Sequence, residues 1–286
     1  MIRLGAVMIE FDVELPGGPV LHAYDTGGDG FPVLWHHGTP NVGAPPAPLF
    51  ADAERFGLRW LSYDRFGYGG SSASPGRDVA SAAACSAAVA DAAGVGRFAV
   101  VGHSGGGPHA LACGALSPER VVAVVSVSGL APYGAEGLDW FAGMAESGAA
   151  SLRAAAAGRA AKVAFEASAG EQDPGFTSAD WAALAGEWAW FESVVGPALG
   201  ASGAVDDELA YVAEWGFDPA DVVTPVLLVH GGRDRVVPVG HARWLARRCA
   251  GAELWVAEEE GHLSVLAGAA SWVEWVRARW DEGVGR

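Results

Sequence analysis

The chain has 286 residues, of which 51% are hydrophobic and 18% charged, proportions that exclude a disordered chain and allow a sizeable buried core. Eighteen basic against 34 acidic residues give a formal net charge of −16, which argues against nucleic acid or an anionic membrane as partner and favours a neutral or cationic small molecule. No apolar run approaches the roughly 18 residues of a membrane span, and charges interrupt the first residues too early for a secretory signal, so a cytoplasmic protein is expected.

In chain order, strand-like runs at residues 7–14 and 20–25 are separated by only a Pro-Gly-Gly turn, which predicts an antiparallel hairpin. A strand at 31–35 leads into His37, Gly38, Thr39 and Pro40, and a strand at 59–63 leads into the glycine-rich turn DRFGYGGS of residues 64–71. A helix is expected over 79–93, a strand over 98–102, a helix over 107–116 and a strand over 121–126. Later strands at 226–230 and 253–256 precede helices at 241–249 and 264–280. Short apolar runs alternating with helices indicate a mostly parallel, eight-stranded α/β sheet covered on both faces.

Residues 131–218 break that alternation. They are rich in Ala, Gly and Trp without a strand pattern, and helices are expected over 138–146, 152–169, 178–195 and 206–214. The segment reads as a helical cap inserted after the sixth strand, leaving 1–130 and 219–286 as the core. In the third of these helices, Trp181, Leu184, Trp188, Phe191 and Val195 fall on one stripe, with Trp190 nearly opposite. Such a stripe packs the cap onto the core or roofs a pocket. Trp188 and Glu192, at the stripe and its edge, are the candidate substrate contacts, although for Glu192 simple exposure to solvent is the safer reading.

The sequence Gly102-His103-Ser104-Gly105-Gly106 has the form of a nucleophile elbow, in which glycines let a strained turn lift a serine hydroxyl above a strand end. The helix that follows points its first amides at the same place, favouring negative charge there. Asp234 lies just beyond the seventh strand and His262 just beyond the eighth. The order Ser104, Asp234, His262 is the one α/β-hydrolases use, unlike those of chymotrypsin and subtilisin architectures. The backbone N–H groups of Thr39 and Gly105 are the candidate oxyanion donors.

Together these stretches resemble the α/β-hydrolase fold superfamily from about residue 21 onward. Within it the chain is similar to the capped branch of proline iminopeptidases, small esterases, C–C bond hydrolases, cofactor-free haloperoxidases, epoxide hydrolases and haloalkane dehalogenases. The resemblance would put an aspartate at position 104 in the last two, so the serine argues against them. Residues 188–192, WAWFE, are similar to the Trp-rich cap motif that carries an amine-binding glutamate in proline iminopeptidases, but GHSGGG departs from their GGSWGS elbow.

The expected activity is hydrolysis of a small neutral or cationic carboxylic ester, lactone or thioester through an acyl-enzyme, with no cofactor. Aminopeptidase, C–C hydrolase and perhydrolase or haloperoxidase activities are the alternatives, and a hydrolase-derived ligand receptor is the reading from a different class. His36, His103, His109, His230 and His241 lack metal-ligand spacing and are read as structural, with His37 anchoring the oxyanion loop and Asp64 and Arg65 bracing neighbouring turns. Cys85, Cys113 and Cys249 fit neither a disulfide framework nor a zinc site, and Lys162, the only lysine, is expected at the surface.

Overall fold

Runs that are apolar at every position need cover on both sides, and the central strands obtain it. In the computed structural model, which describes residues 8–168, 170 and 173–284, eight strands form one sheet. They are β1 (Ile9–Glu14), β2 (Val20–Asp25), β3 (Phe31–His36), β4 (Leu58–Tyr63), β5 (Phe98–His103), β6 (Val121–Val127), β7 (Val226–Gly231) and β8 (Glu253–Ala257). Their order is β1-β2-β4-β3-β5-β6-β7-β8. β1 pairs antiparallel with β2 and β2 with β4, while every other pairing is parallel. Of the first predicted strand, residue 7 lies outside the described residues.

β5, β6 and β7 are buried at every position, and alternate residues serve opposite layers. Phe98 and Val100 face a cluster shared with α2 (Ser81–Ala92), α3 (Gly106–Leu116) and α9 (Gly240–Arg248). Ala99 and Val101 face one shared with α1 (Phe50–Phe56) and α10 (Ala269–Val284). The sheet is thus the middle of three layers. All three cysteines are free and buried, and burial pushes each thiol up to about 12. Among the described residues no helix is long and apolar enough to cross a membrane.

Between β6 and β7 the chain forms α4 (Glu146–Ala156), α5 (Arg159–Ser168), α6 (Ser178–Leu184), α7 (Phe191–Val195) and α8 (Ser202–Val212). Here the sequence expectations need correction. The helix expected over 138–146 is a succession of turns, because Gly134, Gly137 and Gly143 adopt φ of 76°, 77° and 88°. The helix expected over 152–169 is interrupted at Gly158, at φ 105°, and its residue 169 lies outside the described residues. The one expected over 178–195 is three pieces, with α6 and α7 separated by Gly186 and a 3-10 turn at Glu187–Trp190. That break dissolves the single stripe: Trp181 is 52% exposed, whereas Trp188 is 2% exposed.

Lys162 also departs from expectation, being fully buried. Its Nζ donates to Ser151 Oγ and Glu166 Oε1, both at 2.5 Å, and pairs with Glu208 Oε2 at 2.8 Å. A lysine is tolerated inside because these partners satisfy its N–H donors, joining α4, α5 and α8. Burial pushes the Glu208 carboxyl up, against the pull of Lys162. Lys162→Ala, which strands Glu208 without its cation, is therefore expected to cost about 3 kcal/mol in urea unfolding.

Candidate active site

The site is built where β5 passes into α3. A side chain at Gly102 would run into the Gly106 carbonyl oxygen, and one at Gly106 into that of His36. Only glycine lets the strand end and the helix start approach this closely. Ser104 between them takes φ 54°, in the left-handed region that a serine seldom enters. Its N–H donates to Val127 O at 2.8 Å, and Gly107 N–H returns to Ser104 O at 2.9 Å, so the turn is held to β6 and to its own helix.

The structure brings His262 and Asp234 together. His262 Nδ1 lies 2.7 Å from Asp234 Oδ2, and Asp234 Oδ1 accepts the N–H groups of Val236 and Val237, each at 2.8 Å. His230 Nε2 donates to Val237 O at 2.7 Å and lies 3.4 Å from Asp234 Oδ2. Burial opposes charge on Asp234, but His262 and His230 outweigh it and hold the carboxyl well below the usual range. With Nδ1–H directed at a charged carboxylate, the neutral tautomer of His262 is the one whose free lone pair is on Nε2.

Ser104 and His262 line one cavity of about 790 Å³. Gly38, Thr39 and Asn41 border it on the core side, and Phe176, Trp181, Leu184, Phe191, Val195 and Leu199 on the helical side. Most of that wall is apolar, and Glu192, itself exposed, is the carboxylate on it. Trp188 is not on the lining. It is buried in the 3-10 turn, its ring centroid 5.7 Å from Phe191 and 6.3 Å from Trp190. Of the two substrate contacts expected from the sequence, Glu192 reaches the cavity wall and Trp188 supports it from behind.

The loop after β3 is held from α8 by residues the sequence did not single out. Asp207 accepts Arg65 Nη2 and Thr39 Oγ1, each at 2.5 Å, Arg77 Nη2 at 2.6 Å and the Tyr68 hydroxyl at 2.9 Å. Tyr211, one helical turn on, sits 2.8 Å from Thr39 Oγ1 and donates to Gly105 O at 3.1 Å. Arg65 also donates to the His37 and Gly38 carbonyls, while His37 Nε2 accepts the Arg65 N–H at 3.0 Å. Both candidate oxyanion residues, Thr39 and Gly105, are thereby tied to one helix. Burial disfavours the Asp207 charge, yet Arg65 and Arg77 keep the carboxyl well below its ordinary value. Asp207→Ala leaves two buried guanidinium groups short of a counter-charge and is expected to lose about 3–5 kcal/mol of stability, measured by denaturant unfolding.

Five buried histidines are held neutral around this framework. Burial pushes His103 and His109 down to about 3 and His241 to about 4, and takes His36 and His37 well below the ordinary value. His22 moves the other way: partial burial lowers it, but Asp12 and Glu10 raise it more. Among the described residues no group of three or more His, Cys, Asp or Glu side chains could hold a metal ion. The five histidines bind protons less readily folded than unfolded, so the stability they confer is present above about pH 6.5 and lost as pH falls below it. Urea-unfolding free energy is expected to drop from pH 7.5 to pH 5.5 by about 1 kcal/mol per histidine, less the opposing His22. A level profile would mean that these rings are charged in the folded state.

A strand-turn-helix serine, a buried Asp–His pair and a loop after β3, all at one edge of a mostly parallel sheet, define a recognisable class. The chain belongs to the alpha/beta hydrolase fold family, whose model matches residues 32–269. Solved structures agree in fold. An esterase from Thermogutta terrifontis with malate bound is 21% identical at TM-score 0.67, over 96% of this chain and 98% of that one. An enol-lactonase from Burkholderia xenovorans is 19% identical at TM-score 0.67, over 93% and 98% of the respective chains. A bromoperoxidase from Bacillus anthracis is 19% identical at TM-score 0.70, over 96% and 100%.

Proposed function

We propose that this protein is a serine hydrolase that cleaves small, apolar, uncharged or cationic carboxylic esters, lactones included, through an acyl-enzyme. The observation that carries this reading is the strained Ser104 on the wall of a largely apolar cavity that it shares with His262, itself bonded to a charged Asp234. The family supports a hydrolase, and an esterase and an enol-lactonase stand among the similar structures.

In this mechanism His262 Nε2 takes the Ser104 proton as Oγ attacks the ester carbonyl. The N–H groups of Thr39 and Gly105 receive the oxyanion, at the start of α3 where the helix dipole favours negative charge. Collapse of the tetrahedral intermediate expels the alcohol, which takes the proton from His262. Water, deprotonated by the same nitrogen, then releases the acid and restores Ser104. Asp234 fixes the tautomer and offsets the positive charge that His262 gains. An apolar wall recognises the acyl or alcohol chain by burial, and Glu192 together with a net charge of −16 disfavours anionic substrates.

The bromoperoxidase likeness leaves room for hydrogen peroxide in place of water at the second step, which needs no change of residues. An aminopeptidase is less well supported: Glu192 of the WAWFE segment does reach the cavity wall, but the GHSGGG elbow departs from the GGSWGS of proline iminopeptidases. Fluorophosphonate labelling followed by turnover on a panel of neutral, cationic and anionic aryl esters tests the proposal. Ser104→Ala is expected to abolish labelling and, like His262→Ala, to lower kcat on the order of 10⁴-fold or more, with little further loss when the two are combined. Near wild-type turnover by Ser104→Ala would overturn the reading, and single-turnover retention of ligand would favour a receptor.

A further inference from the structure

We propose that Asp180, on the helical segment between β6 and β7, is a positioning residue that sets the loop carrying His262. The inference rests on the functional reading above.

Asp180 lies in the first turn of α6, fully buried. Its Oδ2 accepts the Thr177 N–H at 2.8 Å and the Thr177 hydroxyl at 2.9 Å, and Thr177 Oγ1 accepts the Asp180 N–H at 3.1 Å. This reciprocal cap accounts for one oxygen. The other points into the core: Oδ1 accepts the N–H of Leu263 at 2.7 Å and of Ser264 at 2.9 Å, the two residues directly after His262. A helix cap has no use for these two bonds, which span more than 80 residues.

Approach from the other side is equally specific. A Cβ at Gly261, directly before His262, would overlap the Asp180 carboxylate, so the glycine is a condition of the contact. The His262 carbonyl is held by His103 Nε2 at 3.2 Å and the Ser128 hydroxyl at 3.3 Å. Its peptide is thus clamped between core donors on its oxygen and a carboxylate on the amides that follow. Burial opposes the charge on Asp180, but the amides of Ser264, Thr177 and Leu263 outweigh it and keep the carboxyl below its ordinary value. Trp181 and Leu184 of the same helix line the cavity. The substrate wall and the general base therefore share one support, and displacing the imidazole by about 1 Å costs about 100-fold in rate.

The test compares Asp180→Ala, Asp180→Asn, Thr177→Ala and Gly261→Ala with wild type on a neutral aryl ester, reading kcat and KM separately together with the rate of fluorophosphonate labelling. Asp180→Ala is expected to lower kcat and labelling by about 10- to 100-fold with KM within about threefold. Asp180→Asn, which keeps an acceptor for Leu263 and Ser264, should recover part of the loss. Thr177→Ala disturbs the cap but spares the loop and should stay within about threefold of wild type. The proposal is overturned if Asp180→Ala keeps its kcat or if Thr177→Ala loses as much. Should Asp180→Ala fail to fold, Gly261→Ala decides: a fall in kcat with KM held supports the proposal, and unchanged kcat sinks it. Ser104→Ala runs alongside, because activity surviving there would remove the functional reading itself, whereas an inactive Ser104→Ala beside a fully active Asp180→Ala would remove only the role of Asp180.

Discussion

Where β5 hands over to α3, two carbonyl oxygens leave no volume for a side chain at Gly102 or Gly106, and the rest of the site follows from that lack of room. The close approach turns the chain sharply enough to put Ser104 at φ 54°, directly before the start of α3. β3 lies beside β5, so the loop bearing Thr39 emerges next to the serine. β7 and β8 run parallel to both, so Asp234 and His262 leave the sheet at the same edge. In parallel sheets the carboxyl ends of the strands collect the loops that bind ligand.

Two buried carboxylates of the helical segment reach back into this edge by different physical means. Asp207 is matched by two guanidinium groups, a hydroxyl from Thr39 and one from Tyr68, and it governs the loop after β3. Among the described residues no cation is hydrogen-bonded to Asp180, which is balanced by three amides and a hydroxyl. The first arrangement carries a large desolvation cost offset by full charges, and the second resembles anion binding by converging backbone dipoles. The segment therefore sets the geometry of the loops beneath it as well as walling the cavity.

The sheet was legible because its strands are apolar runs ended by glycine-rich turns, a local signal that survives without knowledge of the partners. The residues brought together at its edge were legible for the same reason, each lying a few positions beyond a strand. The helical segment was not. Alanine and glycine carry little periodicity, so breaks at Gly158 and Gly186 could not be told from tolerated glycines, and a stripe drawn through Trp181 and Trp188 assumed a continuity the backbone lacks. Thr177 and Asp180 have the spacing of a helix start, which marks the cap but not the bonds to Leu263 and Ser264. Asp207 and Lys162 look like ordinary surface charges of amphipathic helices, and only the tertiary structure reveals the partners that make their burial tolerable.

The burial of Lys162 has a chemical corollary. It is the only lysine in the sequence and is enclosed by Ser151, Glu166 and Glu208, so the folded chain exposes no lysine amine to an activated acyl group. An acyl-enzyme formed at Ser104, as proposed above, would thus have no lysine beside it to acylate in passing. Amine-directed crosslinkers and labels will likewise find their side-chain target only when the helical segment opens, which makes the reactivity of a single residue a reporter of that opening.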